Sequence, residues 1–323
     1  MANEAILATG ILEDGLRYVL CLLLALPLAA QKVALSLDDA PFLRPAPRMA
    51  GPAQHQAMRA ALQVRKVQAI LFVNGVNGGD SPEGKAVLRA WGEAGHLLAN
   101  HSYSHWDLNS ETVSLEAYEA DVLRGEALIR DLPGFTRRYR YPFLRTGATE
   151  AKRDGFYAFL KDRGDAIGHV SIDTADWLLD ERLRWRLDKE PGADLAPYRD
   201  LYLKHLWACA RFYDAWSRQV FGREIPHVIL MHSRLLNGLF LGDVIDFFRA
   251  RGWTWIAPAE AFQDPVYALM PKNLPGGEAL ADAVSAERKA QGFVKAWREQ
   301  AKDPDDLLFS ERRLVERMDQ LGL

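Results

Sequence analysis

From residue 33 to residue 256 the chain alternates short apolar runs with longer amphipathic ones, and few architectures accept that rhythm. Strand-like runs fall at 33–37 (VALSL), 69–73 (AILFV), 96–99 (HLLA), 138–141 (RYRY), 167–172 (IGHVSI), 228–231 (VILM) and 253–256 (WTWI). Helix-like stretches lie between them at 55–67, 81–94, 115–132, 149–163 and 239–251. Gly95, Gly164 and Gly252 close three of them, as expected of the residue that most easily takes the left-handed turn past a helix end. Strand alternating with helix predicts βαβ units and a parallel sheet. Seven strands in one series suit an α/β fold closed, or nearly closed, into a barrel better than two separate domains. At 323 residues and 49% hydrophobic, the chain has ample material for one large core.

Two segments interrupt the rhythm. Residues 177–223 form a helix-rich insertion before the sixth strand, and within it 201–221 carries Trp, Tyr and Leu at helical spacing, a pattern that reads as packing. Residues 279–323 read as charged amphipathic helices, either a tail packed over the barrel or an oligomer contact.

The apolar run at 18–30 (YVLCLLLALPLAA) has the length of a signal-peptide core and is short for a membrane span. Arg17 precedes it and the small Ala29 and Ala30 end it, although Glu4, Glu13 and Asp14 make an acidic start. Translation beginning close to Arg17 would remove that conflict, and a buried helix of the fold is the competing reading. The export reading divides the chain into a signal peptide at 1–30, a catalytic domain at 31–265 and a helical extension at 266–323. It places the protein in the periplasm or outside the cell, with no stable membrane insertion once processed. Removing the run would also remove Cys21 and leave Cys209 as a single thiol, so no disulfide framework is expected. A net charge of -3 without a basic, aromatic-lined stripe gives no reason to expect a nucleic-acid partner.

Ionisable residues collect after the strands. Asp38-Asp39 ends the first, Asn100 to His105 (NHSYSH) follows the third, Arg140 belongs to the fourth, Asp173 to Trp177 (DTADW) follows the fifth and His232 ends the sixth. Barrel enzymes place their active sites at the carboxyl ends of parallel strands, so this distribution points to catalysis. His101 and His105 are four apart and would share one face of a helical turn. With Asp39 they form a His₂Asp set that suits zinc and leaves a position open for water. Two adjacent carboxylates repel unless a cation stands beside one of them. A metal on Asp39 would relieve that and leave Asp38 free to act as a base.

In order, SLDD, HSYSH, RYPF, DTADW and LMH closely resemble the motif series of the NodB-type polysaccharide deacetylases, carbohydrate esterase family four, over residues 35–259. The segment RYRYPFLRTG resembles a bacterial branch of that family with a similar helical insertion. The resemblance implies a distorted (β/α)7 barrel and a hydrolase that removes acetyl groups from an N- or O-acetylated glycan. It implies that Asp38 is the general base and that Asp39, His101 and His105 hold zinc, or another divalent transition metal such as Co2+. Arg140 would orient Asp38, the Phe143 amide would bind the oxyanion, and Asp176 would steer His232, the general acid. Trp177 and Leu230 would wall the acetyl pocket. Departures from the pattern are Ser36-Leu37 where Thr-Phe is usual, and Thr146 where an acid is usual. Alternatives are a hydrolase of a non-sugar amide or cyclic C–N bond on the same barrel, and a non-catalytic glycan-binding module.

Overall fold

The computed structural model describes residues 30–285 and 287–323, so the expected signal peptide lies outside the described residues apart from Ala30. Its strands are β1 (Lys32–Ala40), β2 (Ala69–Val73), β3 (Leu97–Asn100), β4 (Phe135–Tyr139), β5 (Ala166–Ile167), β6 (His227–His232) and β7 (Thr254–Trp255). They run parallel in the order β5-β4-β3-β2-β1-β6, with β7 paired to the start of β1. Nearly every residue of β1 and β2 is buried. That explains their unbroken apolar runs: both faces of a parallel strand are covered.

The sheet curls into the distorted (β/α)7 barrel that the family resemblance implies and that seven strands suit. The expected fifth strand, 167–172, is divided between two neighbours. Gly168 donates its amide to Tyr139 of β4, and Ile172 bridges to Ile229 of β6. Its backbone crosses close to the barrel interior, where a Cβ on Gly168 would meet the Phe72 ring at 2.4 Å. One extended segment thus leaves the β4 edge and arrives beside β6.

The outer helices are α1 (Gly51–Arg65), α2 (Pro82–Glu93), α3 (Leu115–Ile129) and α4 (Glu150–Arg163). The last three begin at Ser81, Ser114 and Thr149, whose hydroxyls accept from the amides of Gly84, Ala117 and Lys152, satisfying amides the helix leaves free. The insertion folds as α5 (Asp176–Lys189) and α6 (Ala196–Phe221), and α7 (Leu235–Arg249) follows β6. After a short α8 (Pro258–Ala261) come α9 (Leu280–Val284), α10 (Glu287–Gln300) and α11 (Glu311–Gln320). The tail packs inward. Leu308, Leu314 and Met318 are buried in the same cluster as Leu35 of β1, Leu183 of α5, Leu206 of α6 and Val244 of α7. No helix among the described residues is long and apolar enough to cross a membrane.

Candidate active site

Asp38 and Asp39 follow each other at the end of β1, and alternation along a strand would send them to opposite faces. Asp39 breaks the alternation with φ 64, a left-handed conformation that aspartate tolerates better than most residues. Both carboxylates therefore line one cavity of about 520 Å³. Asp38 Oδ1 accepts from Arg140 Nη1 at 2.6 Å. Arg140, just past β4, is buried and held by the Ser36 hydroxyl, the Gly168 carbonyl and the face of Phe72. Asp39 has its own cation. Its Oδ2 accepts from Arg234 Nη2 at 3.2 Å, and its Oδ1 accepts from Asn74 Nδ2 at 3.0 Å. Burial pushes the Asp39 carboxyl up, but His105, His232, His101 and Arg234 together hold it below the usual carboxylate range.

His101 and His105 do not share a helical turn, contrary to the expectation from their spacing. The segment after β3 is a loop in which Ser102 and His105 take φ values of 65 and 56. Its shape is fixed from outside. Asp121 Oδ2 accepts from the amides of Tyr103 and Ser104, Asn100 Oδ1 accepts from Ser102, and the Ser102 hydroxyl accepts from His105. Gly125 lets α3 approach, since a Cβ there would meet the Ser102 carbonyl carbon at 2.6 Å. The two imidazoles finish 5.0 Å apart. His101 Nδ1 lies 2.8 Å from the Arg140 carbonyl. A carbonyl only accepts, so Nδ1 carries the proton and Nε2 keeps its lone pair toward the cavity. Burial, reinforced by His101, pushes the His105 ring down to about 4, which leaves it neutral.

His232 ends β6 in register with Asp38 on β1. Its Nδ1 lies 2.6 Å from Asp176 Oδ1, and its own amide donates to Asp176 Oδ2 at 2.8 Å. Burial alone would lower the ring, but the charge and hydrogen bond of Asp176, with help from Asp39, raise it to about 9. Asp176 is the first residue of α5 and also accepts from Asn237 Nδ2 at 3.0 Å.

The remaining expected residues surround this centre. Trp177 and Leu230 line the cavity. Phe143 is exposed at its rim with its ring 4.5 Å from His105. Phe143 and Leu144 both have positive φ, a costly conformation for two successive non-glycine residues. Arg140 and Asp176 stand behind the cavity, each holding a residue that faces it. Arg145, Asp173, Glu181, Arg234, Gly277 and Glu311 also line it, and burial raises Asp173 to about 7. Sequence reasoning missed Arg234, although it stands two places beyond His232. It gave an arginine to Asp38 only and a metal to Asp39, whereas Asp39 has an arginine as well.

The donor atoms of Asp39, His101 and His105 lie within 4.8 Å of one another. One buried carboxylate and two imidazoles, one with its tautomer fixed by a backbone carbonyl, fit a divalent transition metal.

Residues 26–156 match the family model for polysaccharide deacetylase. That span holds Asp38, Asp39, His101, His105 and Arg140, while Asp176 and His232 lie beyond it. A peptidoglycan-N-acetylglucosamine deacetylase of Bacillus cereus is 25% identical over 152 residues, 47% of this chain and 48% of that protein. A chitin deacetylase of Colletotrichum lindemuthianum is 31% identical over 151 residues, 45% of this chain and 52% of that protein. The chain thus matches about half the length of these curated relatives. The structure of the chitin deacetylase from C. lindemuthianum shares the fold, with a TM-score of 0.50 at 22% identity over 72% of this chain and 88% of that one. Over residues 26–156 the chain is thus similar to the polysaccharide deacetylase family, and it shares the fold of a solved chitin deacetylase.

Proposed function

We propose that the chain is a metal-dependent hydrolase that removes acetyl groups from an N- or O-acetylated polysaccharide or oligosaccharide. One observation carries this reading: an arginine-held carboxylate, a metal-competent His₂Asp set and an aspartate-held histidine all meet at one cavity. Asp39, His101 and His105 would hold zinc or a similar ion such as Co2+, which when bound polarises a carbonyl and lowers the pKa of a water molecule to about 7. Asp38 has Oδ1 tied to Arg140, so Oδ2 takes the proton from the attacking water. The amide of Phe143 donates to the oxygen on which charge develops. His232, protonated through Asp176, gives its Nε2 proton to the departing amine or alkoxide. Trp177 and Leu230 enclose the acetyl methyl and exclude water from it.

The division into a catalytic domain at 31–265 and an extension at 266–323 belongs to this proposal, as does export directed by residues 1–30. N-terminal sequencing of native protein tests the export step. A mature start near residue 31 supports it, and a retained Met1 overturns it.

For the chemistry, purified chain is mixed with chitin oligomers and with acetylated xylan, and released acetate is measured. Release should stop on chelation and return with zinc, and His101→Ala should lose both metal and turnover. Full metal content and full turnover in His101→Ala would overturn the site.

A further inference from the structure

The insertion and the tail pack into the core, and two side chains of α6 also converge on the residues that hold His232. His205 Nε2 accepts from the Ala175 amide at 2.9 Å, and its Nδ1 lies 2.8 Å from the carbonyl of Leu308 in the tail. That carbonyl can only accept, so Nδ1 carries the proton and Nε2 is the acceptor; a single neutral tautomer serves both contacts. Burial holds the ring below the ordinary histidine range, in the neutral form this pairing needs.

Ala175 immediately precedes α5 and offers no side chain to cap it. Its amide is fixed by His205 instead, at the point where the chain enters Asp176. Three residues earlier on α6, the Tyr202 hydroxyl donates to Asn237 Oδ1 at 2.8 Å. This orients the Asn237 amide so that Nδ2 donates to Asp176 Oδ2 at 3.0 Å and to the His232 carbonyl at 2.8 Å. Tyr202, His205, Asn237 and Asp176 are all buried, so water does not compete for these contacts. The backbone before Asp176 and the carboxylate of Asp176 are thus held from two sides by one helix.

We propose that Tyr202 and His205 are positioning residues for the His232–Asp176 pair, with the Leu308 carbonyl of the tail selecting the His205 tautomer. The insertion and tail then set where the acid points, and the proposal rests on the deacetylase reading above. A purely structural role would affect stability without affecting proton delivery, and this separates the two.

The test uses the full chain loaded with zinc. Tyr202→Phe deletes one oxygen, His205→Met keeps volume without the paired hydrogen bonds, and His205→Gln restores one donor and one acceptor. For acetate release from chitin oligomers, Tyr202→Phe and His205→Met should each lower kcat about tenfold. KM should stay within about twofold and metal content should not change, because neither residue faces the cavity. His205→Gln should recover most of the loss. An NMR titration of the His232 ring, which needs no substrate, should show its pKa lowered in Tyr202→Phe. Should His205→Met fail to fold, Tyr202→Phe decides alone. Unchanged kcat and unchanged His232 titration in Tyr202→Phe would overturn the proposal. Absence of acetate release by the unsubstituted chain would strike the deacetylase reading instead, and the titration would still judge this one.

Discussion

Strand β6 carries one histidine at each end, and the two live under opposite conditions. His232, at the carboxyl end, has a 15% exposed side chain facing the cavity, Asp176 at 2.6 Å and a ring raised to about 9. His227, at the amino end, is fully buried with Asp214 at 3.4 Å, and burial holds its ring below the ordinary range. Both have an aspartate, so a His–Asp pair alone does not make an acid. Asp176 reaches His232 through both its amide and its ring, whereas Asp214 is shared with Arg218, whose charge opposes protonation of His227. His227 also contacts Ser171 at 3.0 Å. The order Ser171–His227–Asp214 has the connectivity of a nucleophilic triad. Yet the serine is buried and its oxygen already accepts from the Val228 amide at 2.8 Å. Connectivity becomes chemistry only where a cavity admits substrate.

The sharpest way to break this contrast is to remove each ring in turn. His232→Ala should lower kcat for acetate release by roughly 10²–10⁴-fold with metal content unchanged, the range expected for loss of a positioned general acid. His227→Gln should leave kcat within about twofold and lower the thermal midpoint, since the buried partners lose part of their pairing. A large kcat loss in His227→Gln with the fold intact would erase the distinction.

A second measurement separates the two aspartates. The raised value of His232 means that the acid form persists as pH rises and is lost only near 9. Activity that needs this proton should therefore hold through neutral pH and fall on a basic limb near that value. Asp176→Asn removes the charge and should bring the limb down toward the ordinary 6.5. At pH 8 only about 3% of rings would then be protonated. Asp214→Asn should leave the limb where it is. A limb unmoved in Asp176→Asn would show that Asp176 does not set the proton affinity of His232.

The contrast also explains what the sequence could and could not show. Asp38, Asp39, His101, His105, Arg140, Asp176 and His232 are legible because each stands at the carboxyl end of a strand or in the loop just past it, and a parallel sheet collects such positions at one end. The strand and helix rhythm was legible for the same local reason. The loop geometry was not: His101 and His105 meet through positive φ at Ser102 and His105, which a four-residue spacing cannot reveal. Nor could spacing show that Asp121 on α3, Asn74 after β2 and Arg234 after β6 would hold these residues. Those contacts depend on distant segments folding together. His205 stood in a stretch whose Trp, Tyr and Leu spacing reads as packing, and its polar role emerges only once Ala175 and Leu308 are placed on either side.

The smallest effect is expected from Ser171, and it bears most directly on what the amino end of β6 is for. Its hydroxyl lies 3.0 Å from His227 Nδ1, accepts from the Val228 amide and stands 2.9 Å from the Tyr267 hydroxyl. It thereby joins β6 to the segment that closes the barrel and to the turn beyond α8. If this is a strut, Ser171→Ala costs the hydrogen bonds and little volume. The expected loss is about 1–3 kcal/mol in chemical denaturation, with kcat, KM and the basic limb of the pH profile unchanged. A serine-reactive organophosphonate should leave both the unsubstituted chain and Ser171→Ala unlabelled, because the oxygen is enclosed. Labelling of the unsubstituted chain that disappears in Ser171→Ala would make the amino end of β6 a second reactive centre, and the difference between its two histidines would then be one of substrate.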